Sequence, residues 1–217
     1  ARLLVINGLG FEGWLPRLLQ ASGSKAPIAV ATKGIMPRKL GGHDDPHAWQ
    51  SVANAKIYVA NIRDGLIAAA PDKAAVFKAN ADAYLARLEA LDREVHEAVA
   101  KIPEVRRKVI STHDAFGYFA DAYGITFFSP LSVSTDSEPS ARDIAAIVAQ
   151  IKLAKIPAVF LENISDPRLI QRIAAETGAR VGGTLYSDSL TGEKGQAPTY
   201  IDMVRHNIKA LTSAVAG

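Results

Sequence analysis

The chain contains no cysteine among its 217 residues. That absence excludes disulfides, thiolate metal sites and cysteine nucleophiles, so any metal site must use His, Asp or Glu. No apolar run approaches the roughly 20 residues that a membrane-spanning helix needs. The net charge is +3, but the basic residues are spread along the chain instead of forming the stripe that binds nucleic acid. Hydrophobic residues make up 48% and charged residues 22%, which is typical of a folded globular protein.

The first part of the chain predicts two short strands separated by a helix. Ala1 to Ile6 indicates a buried strand with no charged leader before it, and Asn7-Gly8 is a turn signal. A helix over 11–20 and a strand over 28–31 follow. The segment 32–46 is rich in Gly, Pro, Lys and Asp and is typical of a mobile loop.

Two helices are predicted next, and the second is unusually long. One begins at His47 and ends before Pro71. The other covers 72–102, where apolar residues recur every three to four positions from Phe77 to Ile102. Such a helix would be about 45 Å long at 1.5 Å per residue, which exceeds the width of a small domain. A coiled-coil dimer also has this spacing, but the alanines in the stripe favour packing within one chain.

After Pro103 strands and helices alternate, which predicts an α/β fold with a largely parallel sheet covered by helices. The predicted strands are 108–112, 125–128, 158–161 and 180–185, and the helices are 116–123, 141–155, 167–177 and 199–216. We therefore expect three parts: residues 1–71, a linking helix over 72–102, and a second lobe over 103–217.

Three side chains stand where α/β proteins place ligands. His47 follows Asp45-Pro46 at the entrance of a helix, His113 directly follows a strand, and Asp188 follows the strand that ends at Leu185. Each has an ordinary alternative: a helix cap for Asp188 and a buried structural imidazole for either histidine. His96 and His206 have surroundings typical of surface and structural residues.

Six segments together carry a resemblance to a known family. They are 7–12 (Asn-Gly-Leu-Gly-Phe-Glu), 45–49, 112–119, 161–167, 176–178 and 186–190. In this order, over essentially the whole chain, they resemble the ZnuA- and TroA-like zinc- and manganese-binding solute-binding proteins of ABC transporters. The resemblance implies two α/β lobes joined by a rigid helix, with one metal held in the cleft by His47, His113 and Asp188.

The resemblance also implies a histidine ligand upstream of Asn7, in a region that this sequence does not contain. We therefore expect an incomplete N-terminal lobe and a fourth ligand from an upstream His, from water or from His43. The implied location is periplasmic, or tethered to the membrane outside a Gram-positive cell, after removal of a signal peptide. The implied partner is an ABC permease, a metallochaperone is a further candidate, and the protein is expected to act as a monomer.

The ligand types favour Zn(II). Manganese-binding members of the family resembled carry a carboxylate where this chain has His113, and two imidazoles with one carboxylate suit zinc better. Asp114 and Glu162 are the candidates for holding the ligand imidazoles. The loop from Lys33 to Asp45 is predicted to be a flexible lid, or a segment that collects zinc through His43.

Three other functions fit parts of the pattern. A manganese carrier would use the same positions, and a zinc-dependent hydrolase can use two imidazoles, a carboxylate and water. The sequence has no His-Glu-x-x-His helix, which weakens the hydrolase hypothesis. A surface adhesion or scaffold protein with structural zinc would unfold when its metal is removed.

Overall fold

The computed structural model describes residues 1–131 and 140–215. The chain divides into two compact units, Ala1–Asp92 and Arg93–Gly217, called unit 1 and unit 2 below. Within the described residues, no helix combines the length and the apolar character needed to cross a bilayer. The predicted boundaries at residues 71 and 103 remain a prediction.

Unit 1 begins with a small parallel sheet. Strand β1 (Leu4–Ile6) pairs with β2 (Ile28–Val30), and helix α1 (Leu15–Ser22) lies between them in sequence. The predicted strands are confirmed, but the predicted burial of the first is wrong, because Val5 is 45% exposed. In the described residues β1 and β2 pair only with each other, and a two-stranded sheet cannot cover both of its own faces.

The predicted loop over 32–46 contains an ordered hairpin. Strands β3 (Lys39–Leu40) and β4 (His43–Asp44) pair in antiparallel fashion around Gly41-Gly42. Both glycines have positive φ, at 57° and 86°, which a tight hairpin turn requires and other residues rarely adopt. The predicted loop thus includes a short hairpin that was not predicted, and its mobility stays a prediction.

The two predicted helices that follow are confirmed. A 3₁₀ turn (Ala48–Gln50) leads into α2 (Val52–Ala69), whose N-terminus is capped by the Ser51 side chain. Helix α3 (Ala74–Ala100) has 27 residues, and its residues belong to both units. The predicted apolar stripe is largely buried, including Leu88, Leu91 and Val95.

Unit 2 is built on a four-stranded parallel sheet with the order β6-β5-β7-β8. The predicted α/β fold is confirmed. The strands are β5 (Lys108–Ile110), β6 (Thr126–Phe128), β7 (Ala158–Glu162) and β8 (Arg180–Leu185). The helices are α4 (Gly117–Tyr123), α5 (Ala141–Ala154), α6 (Pro167–Thr177) and α7 (Tyr200–Val215).

The strand order brings the ends of three strands of unit 2 together. Strands β5, β7 and β8 are neighbours and run in the same direction, so their carboxyl ends lie side by side. The sheet packs against α5 and α6 through a buried cluster that includes Ile110, Ile147 and Ile170. The sheet thus presents the residues that follow these three strands at one edge.

Candidate metal centre

His113 lies three residues beyond the end of β5 and is fully buried. Its ring lies between two carboxylates of unit 2. Nδ1 is 2.5 Å from Glu162 Oε2, and Nε2 is 3.1 Å from Asp188 Oδ2. The structure therefore brings the two predicted ligands His113 and Asp188 together.

Glu162, the last residue of β7, connects the ends of the neighbouring strands. Its Oε1 accepts hydrogen bonds from the backbone N–H groups of Thr112 (2.7 Å) and His113 (3.0 Å). Its Oε2 accepts one from the Ser187 hydroxyl at 2.8 Å. A single buried carboxylate thus holds both the segment that carries His113 and the segment that carries Asp188. Of the two predicted supports for the ligand, Glu162 contacts the His113 ring.

The segment before Asp188 is fixed by helix α7. The buried Asn207 side chain accepts from the Tyr186 N–H at 2.9 Å and donates to the Tyr186 carbonyl at 2.8 Å. On the other side of Asp188, the Asn163 amide donates to the Ser189 hydroxyl at 2.6 Å. The Asp188 side chain itself is 19% exposed, so this carboxylate lies at the rim of the buried site.

The carboxylates beside His113 favour the positively charged form of its imidazole. Burial by itself lowers the pKa of His113, but the adjoining carboxylates of Asp188 and Glu162 outweigh burial and raise it to about 10. The metal-free site therefore holds a protonated imidazole at neutral pH. A divalent cation that takes up the same ring nitrogen must displace that proton.

His47 lies in unit 1, where it is 1% exposed at the start of the 3₁₀ turn. Asp45 Oδ1 lies 2.8 Å from His47 Nδ1 and accepts from the His47 backbone N–H at 3.0 Å. Arg38 donates to the other Asp45 oxygen at 3.0 Å. Burial favours the neutral acid, but His47 and Arg38 outweigh it and lower the pKa of Asp45.

Each of these two buried imidazoles thus has a carboxylate at Nδ1. A carboxylate in that position favours the tautomer with hydrogen on Nδ1 and a lone pair on Nε2, which is how proteins orient histidine ligands toward a metal. In unit 2, His113 and Asp188 place one imidazole nitrogen and one carboxylate oxygen close together, and both atom types occur as zinc ligands in proteins. His47 belongs to the other unit.

The remaining histidines have other surroundings. His43 is exposed on the β3–β4 hairpin, and His96 is exposed on α3 with its ring 4.9 Å from that of Tyr123. His206 Nε2 lies 2.9 Å from the Thr184 carbonyl oxygen, and its ring packs against Tyr186.

Sequence reasoning missed three supporting residues: Asp45, Ser187 and Asn207. For Asp45 a signal existed, since it precedes His47 by two residues. Ser187 also adjoins a predicted ligand. Asn207 lies on a helix that begins twelve residues after Asp188, and nothing in the local sequence indicates its contact with Tyr186.

The known proteins that this chain resembles are all metal-binding proteins. Residues 1–214 match the family described as the periplasmic zinc-uptake complex component A, ZnuA. The chain is 33% identical to the manganese-binding lipoprotein MntA of Halalkalibacterium halodurans, covering 100% of this chain and 72% of the relative. It is 34% identical to the iron-binding protein YfeA of Yersinia pestis, covering 97% and 69%. The solved structure of the periplasmic zinc-binding protein TroA of Treponema pallidum superimposes with a TM-score of 0.93 at 29% identity, covering 99% of this chain and 81% of that one.

Proposed function

Because the chain belongs to the ZnuA family of extracytoplasmic metal-binding proteins of ABC transporters, we propose that it captures Zn(II) outside the cytoplasm and delivers it to a membrane permease. Members of this family bind an ion and hand it over without breaking a bond. The hydrolase alternative is therefore set aside. We further propose that the protein acts as a monomer, and that a metallochaperone can load it.

The proposed ligands are His47, His113 and Asp188. The observation that carries the proposal is the buried His113 ring, which lies 2.5 Å from Glu162 and 3.1 Å from Asp188. This arrangement pairs a nitrogen ligand with an oxygen ligand and orients the imidazole through a second carboxylate. His47 has the same support from Asp45, at 2.8 Å, and supplies the second imidazole of the proposed set. An upstream His or water is proposed as the fourth ligand.

Zinc is proposed over manganese because of the donor atoms. Two imidazole nitrogens with one carboxylate suit a four-coordinate Zn(II) site, whereas Mn(II) prefers more oxygen ligands at a higher coordination number. The names of relatives do not decide the metal, since they specify manganese for MntA, iron for YfeA and zinc for TroA.

Titration with Zn(II) and Mn(II), each in competition with a chelator, tests both the site and the metal. We expect His113→Ala and Asp188→Ala each to weaken zinc binding by about 100-fold or more, because each removes a ligand atom. His96→Ala is the matched control, since it removes an exposed imidazole from α3, and it should leave affinity unchanged. Equal affinity in His113→Ala and the control would overturn the site.

The same titration separates the remaining alternatives. Tighter binding of Mn(II) than of Zn(II) would replace the zinc proposal with a manganese carrier. If chelation of the metal abolished the helical circular-dichroism signal, a structural zinc site would be favoured instead. The carrier proposal predicts that the metal-free chain keeps its helical signal.

A further inference from the structure

The Asn7–Glu12 loop is one of the sequence motifs, but none of the proposed ligands lies in it. Glu12 closes the loop, because its carboxylate accepts from the backbone N–H groups of Asn7 at 2.5 Å and Gly8 at 3.0 Å. Gly8 has φ 89°, and a Cβ there would lie 2.7 Å from both Thr32 Oγ1 and Val30 Cγ1. The loop therefore has one tightly determined conformation, which depends on glycine at this position.

The Asn7 side chain joins this loop to the segment that carries His47. Its Nδ2 donates to the Pro46 carbonyl oxygen at 3.0 Å, and its Oδ1 accepts from the Tyr58 hydroxyl at 2.5 Å. The Tyr58 hydroxyl settles the orientation of the amide, because it places the oxygen toward α2 and the donor nitrogen toward Pro46. The Asn7 backbone carbonyl is fixed as well, by the Thr32 hydroxyl at 2.6 Å.

The loop makes a second contact with the same segment through an aromatic ring. The Phe11 ring meets the Trp49 ring edge to face at a centroid distance of 5.4 Å. Trp49 in turn packs against the His47 ring at 5.3 Å. The loop thus contacts the residue before His47 through a hydrogen bond and the residue two positions after it through an aromatic ring.

We propose that Asn7 is a positioning residue for the ligand His47 and that it acts through the Pro46 carbonyl. This inference rests on the proposed function, in which His47 binds the ion. Zn–N bonds are about 2.0–2.1 Å long, so a rotation of the Pro46–His47 peptide that moved the ring by a fraction of an ångström would lengthen or break the bond. Asn7, held by Tyr58, prevents that rotation.

Zinc affinity of two variants tests the proposal. Asn7→Ala removes the bond to Pro46 and should weaken zinc binding by about tenfold, the lower end of the range for losing a residue that supports a metal ligand. Tyr58→Phe removes only the bond to Asn7 Oδ1, while Nδ2 still donates to the carbonyl oxygens of Gly8 (2.9 Å) and Pro46 (3.0 Å), so we expect a smaller loss in the same direction. If Asn7→Ala does not fold, Tyr58→Phe carries the same comparison.

Asn61→Ala is the matched control. Asn61 is also an asparagine of unit 1 whose Nδ2 donates to backbone carbonyl oxygens, those of Ala31 and Lys33, both at 2.8 Å. It lies on α2 with Tyr58 and holds a different segment of backbone. Its replacement should leave zinc affinity unchanged, and an equal loss in Asn61→Ala and Asn7→Ala would overturn the positioning role.

A double-mutant cycle with His47→Ala separates positioning from general stability. If Asn7 acts only through His47, Asn7→Ala should cause no further loss of affinity once His47 is absent. A persistent tenfold loss in the double variant would contradict the proposal. If His47→Ala itself kept full affinity, the ligand assignment would fall. If His47→Ala weakened binding while Asn7→Ala did not, only the positioning role would fall.

Discussion

Glu162 determines which nitrogen of His113 is available to an ion. Its carboxylate lies 2.5 Å from Nδ1 and accepts two backbone N–H groups and one hydroxyl, so it cannot turn away without losing several buried bonds. Hydrogen on Nδ1 leaves the lone pair on Nε2, the nitrogen that faces Asp188. In the proposed site, the buried carboxylate would therefore act on the ion through the tautomer of the imidazole.

Replacing Glu162 by Gln should weaken zinc binding by about 10–100-fold without removing a ligand. The amide oxygen can still accept from the two backbone N–H groups, so the amide nitrogen must face Ser187 and His113. It would then donate to His113 Nδ1 and shift the ring hydrogen to Nε2, where it blocks coordination. Isothermal titration with zinc measures the loss.

Glu176→Gln is the control for this variant. Glu176 is exposed and pairs with Arg172 at 2.8 Å within α6, away from any predicted ligand. The Glu176→Gln variant should retain full zinc affinity. If Glu162→Gln also retained full affinity, the Glu162 carboxylate would have no role in zinc binding.

The raised pKa of His113 predicts a definite pH dependence. Without metal its pKa is about 10, so below that pH a zinc ion must displace one proton, and apparent affinity should rise about tenfold per pH unit from about pH 6 to pH 8. Chelator competition at several pH values measures the slope. A flat profile would show that zinc binding does not deprotonate His113.

The raised pKa of His113 makes the metal-free protein less stable as pH rises. Because the pKa is raised on folding, the contribution of protonated His113 to stability is complete below its unfolded value of 6.5 and is lost as pH rises through about 10. Metal affinity and metal-free stability thus respond to pH in opposite directions.

At the scale of elements, alternation of strands and helices was enough to predict the parallel sheet of unit 2. The strand ends also indicated where His113 and Asp188 would lie. The order β6-β5-β7-β8 was not predicted. This order places Glu162 between the segment that carries His113 and the segment that carries Asp188. Strand order depends on which edges pair, and local sequence carries little of that information. The β3–β4 hairpin was missed because two-residue strands are too short for a periodic pattern.

Glycine at position 182 allows α7 to pack on β8. A Cβ at this position would collide with the Phe160 ring and would lie 2.7 Å from Ala214 Cβ. We expect Gly182→Ala to lower the free energy of unfolding by about 1–3 kcal/mol, as overpacking of a filled core does. Urea denaturation measures the change.

Gly192→Ala is the corresponding control, since Gly192 is exposed and a Cβ there would meet nothing within 4 Å. An unfolding free energy for Gly182→Ala equal to that of this control would mean that the sheet and α7 are less closely packed than the structure indicates.

At the scale of the whole molecule, the family could be identified from six short segments in order, none of which is specific alone. Of the side chains that hold the proposed ligand segments, the sequence indicated Glu162, but it did not indicate Asp45, Ser187, Asn207 or Asn7. Asn7 reaches Pro46 across 39 residues, and Glu162 reaches Thr112 across 50. Such contacts arise from tertiary folding and leave no periodic signal in the chain.

The most direct test of the account is the position of zinc in a crystal of the metal-loaded protein, measured by anomalous diffraction at the zinc absorption edge. The account predicts one principal peak, at about 2.0–2.2 Å from a ring nitrogen of His113, a ring nitrogen of His47 and a carboxylate oxygen of Asp188. A principal peak on a surface histidine such as His43 or His96, with none at His113, would contradict it.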